Sequence, residues 1–217
     1  KHIRWKERDL DSITFDVALN EGVLFASFNS TNSFLNGSMQ LDALLGKNKL
    51  DGSVMVRMDS ADFNALGFAD TTFAAAFVLE GHVKSDLAQT HRFEASVHDC
   101  YMQLERYKVI PERIDILADT DPDSIRLDLV SGDLKMALRV GEGIDAVTVV
   151  SQSLGKKIET FRNDSIQRLR LSSIFQELPH ATFTLQADRY NPLHDLMEVN
   201  GMKYNSIRGK LTVSPEN

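Results

Sequence analysis

The chain lacks most of the residues that announce a function. Cys100 is its single cysteine, so no internal disulfide can form, and the redox compartment stays open because a missing disulfide suits either side of a membrane. No stretch approaches the roughly 18 apolar residues that a membrane-spanning helix needs. Positive charge is also short: 24 Lys and Arg stand against 31 Asp and Glu, a net charge of -7. That field repels phosphate backbones, so no nucleic-acid partner is expected. GxSxG, HExxH, P-loop and dinucleotide fingerprints are missing, and no spacing of Ser, His and Asp marks a triad. Neither an enzyme nor a cofactor is expected.

Two clusters resemble metal sites at first sight. His82, His91 and His98 with Asp99 and Cys100 fall on neighbouring strand-like segments, but the spacing fits no zinc template, and His98-Asp99-Cys100 turns adjacent side chains to opposite faces of a strand. The carboxylates of DTDPDS at 119 to 124 lack the glycine and distal glutamate of a calcium loop, so a polar turn is expected there. No metal is assigned.

What the chain does have is alternation. With 42% hydrophobic residues over 217 positions it can bury a core. Apolar residues alternate with polar ones at Ile13 to Leu19, which predicts strands with one face buried and one solvated. The same holds from Met39 through a Gly46-Lys47-Asn48 turn to Met58, giving a hairpin over 38–58. Further stripes run from Phe73 to Val83, Phe93 to Val97, Cys100 to Leu104 and Ile114 to Ile116. Ile125 to Leu129 leads through Ser131-Gly132-Asp133 into Leu134 to Val140, a second hairpin. DFNALG at 62–67 reads as a short helical turn.

After residue 143 the period changes. Ile144, Val147, Val150, Leu154, Ile158 and Phe161 lie three or four apart, an amphipathic helix of about five turns. A continuation through Ile166 and Leu169 and a short turn carrying Ile174, Phe175 and Leu178 extend the helical segment to Pro179. Its apolar stripe must be buried, as a packing element against the sheet or as a lid or plug. Thr182 to Ala187 is a strand, PLHDLMEV at 192–199 a short helix, and Ile207 to Val213 a closing strand. The expected architecture is mainly β: about ten antiparallel strands in a single domain, with a meander over 10–140, a helical insertion over 142–178, and closing strands with a short helix over 181–214.

A phrase recurs through this pattern. Gly37, Gly52, Gly81, Gly132 and Gly209 are each read as a strand start, followed by alternating residues. Glycine there permits a tight turn or close approach, and the alternation lays an apolar ladder across the sheet. In Leu50-Asp51-Gly52-Ser53-Val54-Met55-Val56, Met58-Asp59-Ser60-Ala61-Asp62-Phe63-Asn64-Ala65-Leu66, Phe34-Leu35-Asn36-Gly37-Ser38-Met39 and Leu127-Asp128-Leu129-Val130-Ser131-Gly132-Asp133-Leu134-Lys135-Met136, the chain resembles the AsmA/TamB family of envelope proteins. The resemblance covers roughly residues 10 to 140 and the last strand, and the helical stretch from 142 to 200 looks like a TamB-like version.

What the resemblance implies is a long sheet rolled into an open gutter or half-barrel with an apolar lining. It implies a periplasmic location, a parent anchored in the inner membrane, and phospholipid or another acyl-chain lipid as partner. Transport of lipid between membranes, or help to an outer-membrane assembly protein, would be the role. The chain begins at Lys1 with no charged-then-apolar leader, so it is expected to be a segment of a longer protein. Candidate lining residues are Met39, Leu41, Val54, Val56, Met58, Phe73, Phe77, Leu79, Val83, Phe93, Leu127, Leu129, Leu134, Met136 and Leu138. The same residues fit the inner wall of a closed sandwich or barrel equally well. An alternative role is a protein-interaction module that pairs exposed strand edges with a partner's strands. A third, a hydrolase acting on an envelope component, would need a cleft with convergent polar groups and perturbed pKa values.

Overall fold

The computed structural model describes residues 3–5, 8–105, 107–145, 148, 179–199 and 201–214. It is mainly β, and its centre is one antiparallel twelve-stranded sheet that does not close into a barrel. The strands are β3 (Ile13–Asn20), β4 (Val23–Thr31), β5 (Leu35–Gly46), β6 (Lys49–Asp62), β7 (Phe73–Ser85), β8 (His91–Leu104), β9 (Tyr107–Val109), β10 (Arg113–Asp121), β11 (Ser124–Ser131), β12 (Leu134–Val140), β13 (Ala181–Ala187) and β14 (Ile207–Val213). They follow the chain across the sheet from β3 at one edge to β14 at the other, with β9 as a short addition to β8. A separate pair, β1 (Ile3–Trp5) and β2 (Arg8–Leu10), precedes it. Helix α1 (Pro192–Val199) lies between β13 and β14.

Most connections are minimal, which is why sequence neighbours are sheet neighbours. β5 and β6 join through Lys47 and Asn48, and β10 and β11 through Pro122 and Asp123. In the latter turn the Asp121 carboxylate accepts the Asp123 N–H at 2.8 Å and the Ser124 hydroxyl at 2.8 Å, so DTDPDS is a hairpin turn. Between β11 and β12 the backbone at Gly132 has a φ of 58°, and a Cβ there would meet the Tyr190 carbonyl oxygen at 2.0 Å. Only glycine fits both conditions.

The beginning of the helical segment is described only at Ile144, Asp145 and Thr148, where the backbone is helical and the Thr148 hydroxyl donates to the Ile144 carbonyl at 2.8 Å. The remainder of the helix expected over 144–161, and its continuation to 178, lies outside the described residues. α1 matches its expectation: Pro192 occupies its first turn, and the Asn191 side chain accepts the His194 N–H at 3.0 Å as an N-cap. No helix among the described residues is long and apolar enough to cross a membrane.

The strand count is a correction. Fourteen strands are described where about ten were expected; β1, β2, β4 and β9 were not anticipated. β4 has apolar residues on both faces, with Val23 and Phe25 on one and Leu24, Ala26 and Phe28 on the other, which erases the alternation. The stripes at 93–97 and 100–104, read as two strands, are one strand interrupted at Asp99, whose φ is 49°. This bulge resets the face, so that Cys100 and Val97 point the same way.

Candidate functional site

Residues directly opposite in an antiparallel ladder share a face, so the register alone assigns the lining. Met39 pairs with Val56 and Val56 with Leu79. Leu41 pairs with Val54, Val54 with Gly81 and Gly81 with Ala95; the row continues through Ile116 and Leu129 to Met136. Val83 pairs with Phe93, then Ala118, Leu127 and Leu138 follow. Met58 faces Phe77. Phe73 stands four residues before Phe77 on β7, and Leu134 two before Met136 on β12, so alternation puts both on the same side. All fifteen residues singled out from the sequence therefore occupy one face of the sheet. The rows also draw in residues not singled out: Phe15, Val17 and Leu19 of β3, Leu24, Ala26 and Phe28 of β4, and Phe183 and Leu185 of β13.

Exposure shows how this face is built. The residues on it that are buried among the central strands are small: Ala26, Ala43, Ala61, Ala75 and Ala95 are each 7% exposed or less. Larger side chains around them are half-buried, Leu127 is exposed, and of the fifteen only Leu134 is buried. Among the described residues no second layer covers these alanines: contact between the elements runs mainly between hydrogen-bonded neighbours, with α1 against β9 beside them. A small residue becomes buried in a single layer when its flanking side chains converge over it, which is the result of rolling the sheet towards that face. The sheet is thus an open gutter with an apolar interior. Eleven strands in succession give it a length on the order of 50 Å at the usual strand spacing.

At the end of β5, β6 and β7 the interior runs into a recess of about 380 Å³. It is lined by Leu35, Met58, Ala61, Phe63, Leu66, Phe68 and Phe77, with no polar surface. The turn after β6 forms its wall: the Leu66 N–H donates to the Asp62 carbonyl at 2.9 Å, and the Phe63 ring stacks on Phe73 at 4.7 Å between centroids. Phe68, 66% exposed, stands at its rim.

The outer face carries paired charges together with exposed apolar side chains such as Phe25, Leu44 and Met55. Glu80, Glu94, Asp115 and Asp128 line an open recess of about 530 Å³ with His82. Arg113 and Ser96 both donate to Asp115, at 2.7 and 2.6 Å, and these bonds hold its carboxyl below the usual range. For Asp128 burial pushes upward, but the Arg139 and Arg126 guanidiniums beside it prevail and the net shift is downward. Arg113 and Arg126 reach these carboxylates along their own strands, and Arg139 of β12 reaches Asp128 across the ladder. The histidines are dispersed: His82 contacts Asp51 at 3.0 Å, His98 contacts Asp99 at 3.2 Å, and His91 bonds the Ser85 hydroxyl at 2.7 Å on the opposite face. Cys100 is buried in the gutter, and burial raises its thiol pKa. Among the described residues no three His, Cys, Asp or Glu side chains are placed to hold a metal.

Compared with models of known protein families, with curated proteins and with solved structures, the chain gives no match in any of the three.

Proposed function

We propose that the gutter shields acyl chains of phospholipid or a similar lipid, in a periplasmic, AsmA/TamB-like segment whose parent is held at the inner membrane. The observation that carries the reading is a continuous set of large apolar side chains left half-exposed along one rolled face, with small residues beneath them. Apolar area in contact with water is unfavourable, and an acyl chain laid on it gains about 0.8 kcal/mol per buried methylene, on the order of 10 kcal/mol for a long chain. Such binding needs an apolar surface and no specific contacts. Half-exposed methionines at 39, 58 and 136 give it an adaptable lining. The function is passive: lipid moves along the gutter or between its ends, and no bond is made or broken.

The test is solvent extraction of detergent-free protein followed by mass spectrometry of the extract, with native mass spectrometry for stoichiometry. Phospholipid or fatty acid near one per chain is the expected result. Protein that carries no lipid and takes up none from added vesicles refutes the proposal. A second reading, pairing of exposed strand edges with a protein partner, is favoured by the exposed apolar residues of β3.

A further inference from the structure

Strand β3 pairs with β4 and with nothing else among the described residues, because β1 and β2 pair only with each other. The Thr31 N–H donates to the Ser12 carbonyl at 3.1 Å, one place beyond the pairing of Ile13 with Ser30. Bonded and non-bonded pairs alternate along an antiparallel ladder, so the even-numbered residues of β3 bond to β4. Ile13, Phe15, Val17 and Leu19 therefore turn their N–H and C=O groups away from the sheet. The side chains of Phe15, Val17 and Leu19, on the apolar face, are 62%, 56% and 60% exposed.

Free edges normally carry a guard: a Lys, a Pro or a charge pointing inward. Edge strand β14 carries two cations, Arg208 and Lys210, on its outer face. Strand β3, ITFDVALN, carries no Lys, Arg or Pro, and its single charge is Asp16 on the outer face.

We infer that β3 docks against β3 of a second copy of this chain, antiparallel, about a two-fold axis through Val17. Three arguments fix the register. A shift by an odd number of residues would set the apolar face of one copy beside the polar face of the other. An axis through Asp16 would place two like charges directly opposite. An axis through Ala18 would pair only residues 16 to 20 of the strand, where the axis through Val17 pairs residues 14 to 20 and leaves Glu21 opposite Ile13 at its end. With the axis through Val17, Phe15 faces Leu19 of the second copy, Asp16 faces Ala18, and the outward N–H and C=O groups of the odd residues meet. The apolar interior then runs unbroken through both copies, a consequence that holds whatever the interior carries.

Sedimentation velocity over a dilution series tests this on the full chain. The expected result is a monomer–dimer equilibrium that Val17→Pro and Val17→Lys each shift to monomer with circular dichroism unchanged, since an outward N–H on an edge strand can be lost without disturbing the sheet. A chain that stays monomeric at every concentration, or a dimer that survives both substitutions, overturns the proposal. Cross-linking checks the register. Val17→Cys should join to its own copy across about 5.5 Å, whereas the two Phe15→Cys thiols would stand roughly 14 Å apart. Equal cross-linking of the two variants refutes the axis through Val17.

Discussion

Val56→Asp, with Leu129→Asp as a second site, separates an open gutter from a sealed core because the two predict different stability losses. Both residues are half-buried on the inner face. Full burial of such a side chain stabilises by about 1.5–3 kcal/mol, so half-burial puts the loss of apolar contact near 1 kcal/mol. The new carboxylate can still reach water along the open face, and the total cost should be about 1–2 kcal/mol. In a sealed interior the same carboxylate would be unpaired and would cost about 3–5 kcal/mol. Lipid binding should respond more strongly. A charge on the wall displaces roughly three methylenes of a bound chain, about 2.4 kcal/mol or roughly 60-fold in Kd. Met55 supplies the control: it precedes Val56 on the same strand, is 51% exposed, and points to the outer face. Met55→Asp should leave both quantities nearly unchanged. Urea unfolding and displacement of a fluorescent fatty acid measure the two effects. Losses above about 4 kcal/mol at Val56 and Leu129, or equal effects on binding at Val56 and Met55, would refute the reasoning.

The other predictions rest on single contacts. Gly132→Ala places a Cβ against the Tyr190 carbonyl at a positive φ; a loss of about 2–4 kcal/mol in thermal or urea unfolding is expected, and an unchanged Tm would contradict the geometry. Asp133 accepts the Tyr190 N–H at 2.8 Å, the Asp188 N–H at 3.1 Å and the Asn191 amide. Burial opposes them, but these bonds hold its carboxyl below the unfolded value of 3.8. Its contribution is therefore complete above about pH 5 and is lost as pH falls through the folded pKa, as for Asp86 and Asp121. Asp133→Asn should lower Tm at neutral pH and flatten the acid side of the stability profile; parallel profiles for the two proteins would refute it. Cys100, 5% exposed with a raised thiol pKa, should react with thiol reagents only as fast as the protein opens. Rapid labelling at neutral pH without denaturant would contradict its burial.

The inner face was legible in the sequence because a period of two is a property of neighbouring residues alone. Met39, Leu41, Val54, Val56 and Met58 declare their side without reference to anything distant. The pairing of β5 with β6 and of β11 with β12 followed from the turns at Lys47–Asn48 and Gly132–Asp133, since a two-residue connection leaves the next strand no other place. The order of the other strands did not follow from them. What escaped depends on conditions that local pattern does not carry. The β3–β4 turn is Glu21–Gly22, with φ of 49° and 82°, a positive-φ pair filled by a glutamate where Asn or Asp is the usual signal. The bulge at Asp99 shifts the period in mid-strand, and β9 is three residues that matter because Val109 is 1% exposed beneath α1. The recess walled by Phe63 and Phe68 needed the turn after β6 to fold back onto the sheet, which the helical reading of DFNALG did not indicate. Whether the alternating face was open or closed was equally invisible, because alternation specifies two faces and not what lies over them.

That last distinction turns on residue size. A core between two layers would bury its largest side chains most deeply. Here Ala26, Ala43, Ala61, Ala75 and Ala95 lie deepest among the central strands, while Met39, Val56, Phe77, Leu79 and Phe93 rise around them and keep part of their surface. Small floor residues let the sheet roll tightly, and large wall residues supply apolar contact to whatever lies between them. The sheet is then stabilised along each strand by ladder hydrogen bonds and same-face neighbours, and among the described residues no second layer fills its interior. An occupant that adds apolar contact should raise stability with the logarithm of its concentration above Kd. Added fatty acid should therefore raise the Tm of the native chain and do so less for Val56→Asp, an effect that a filled core could not produce.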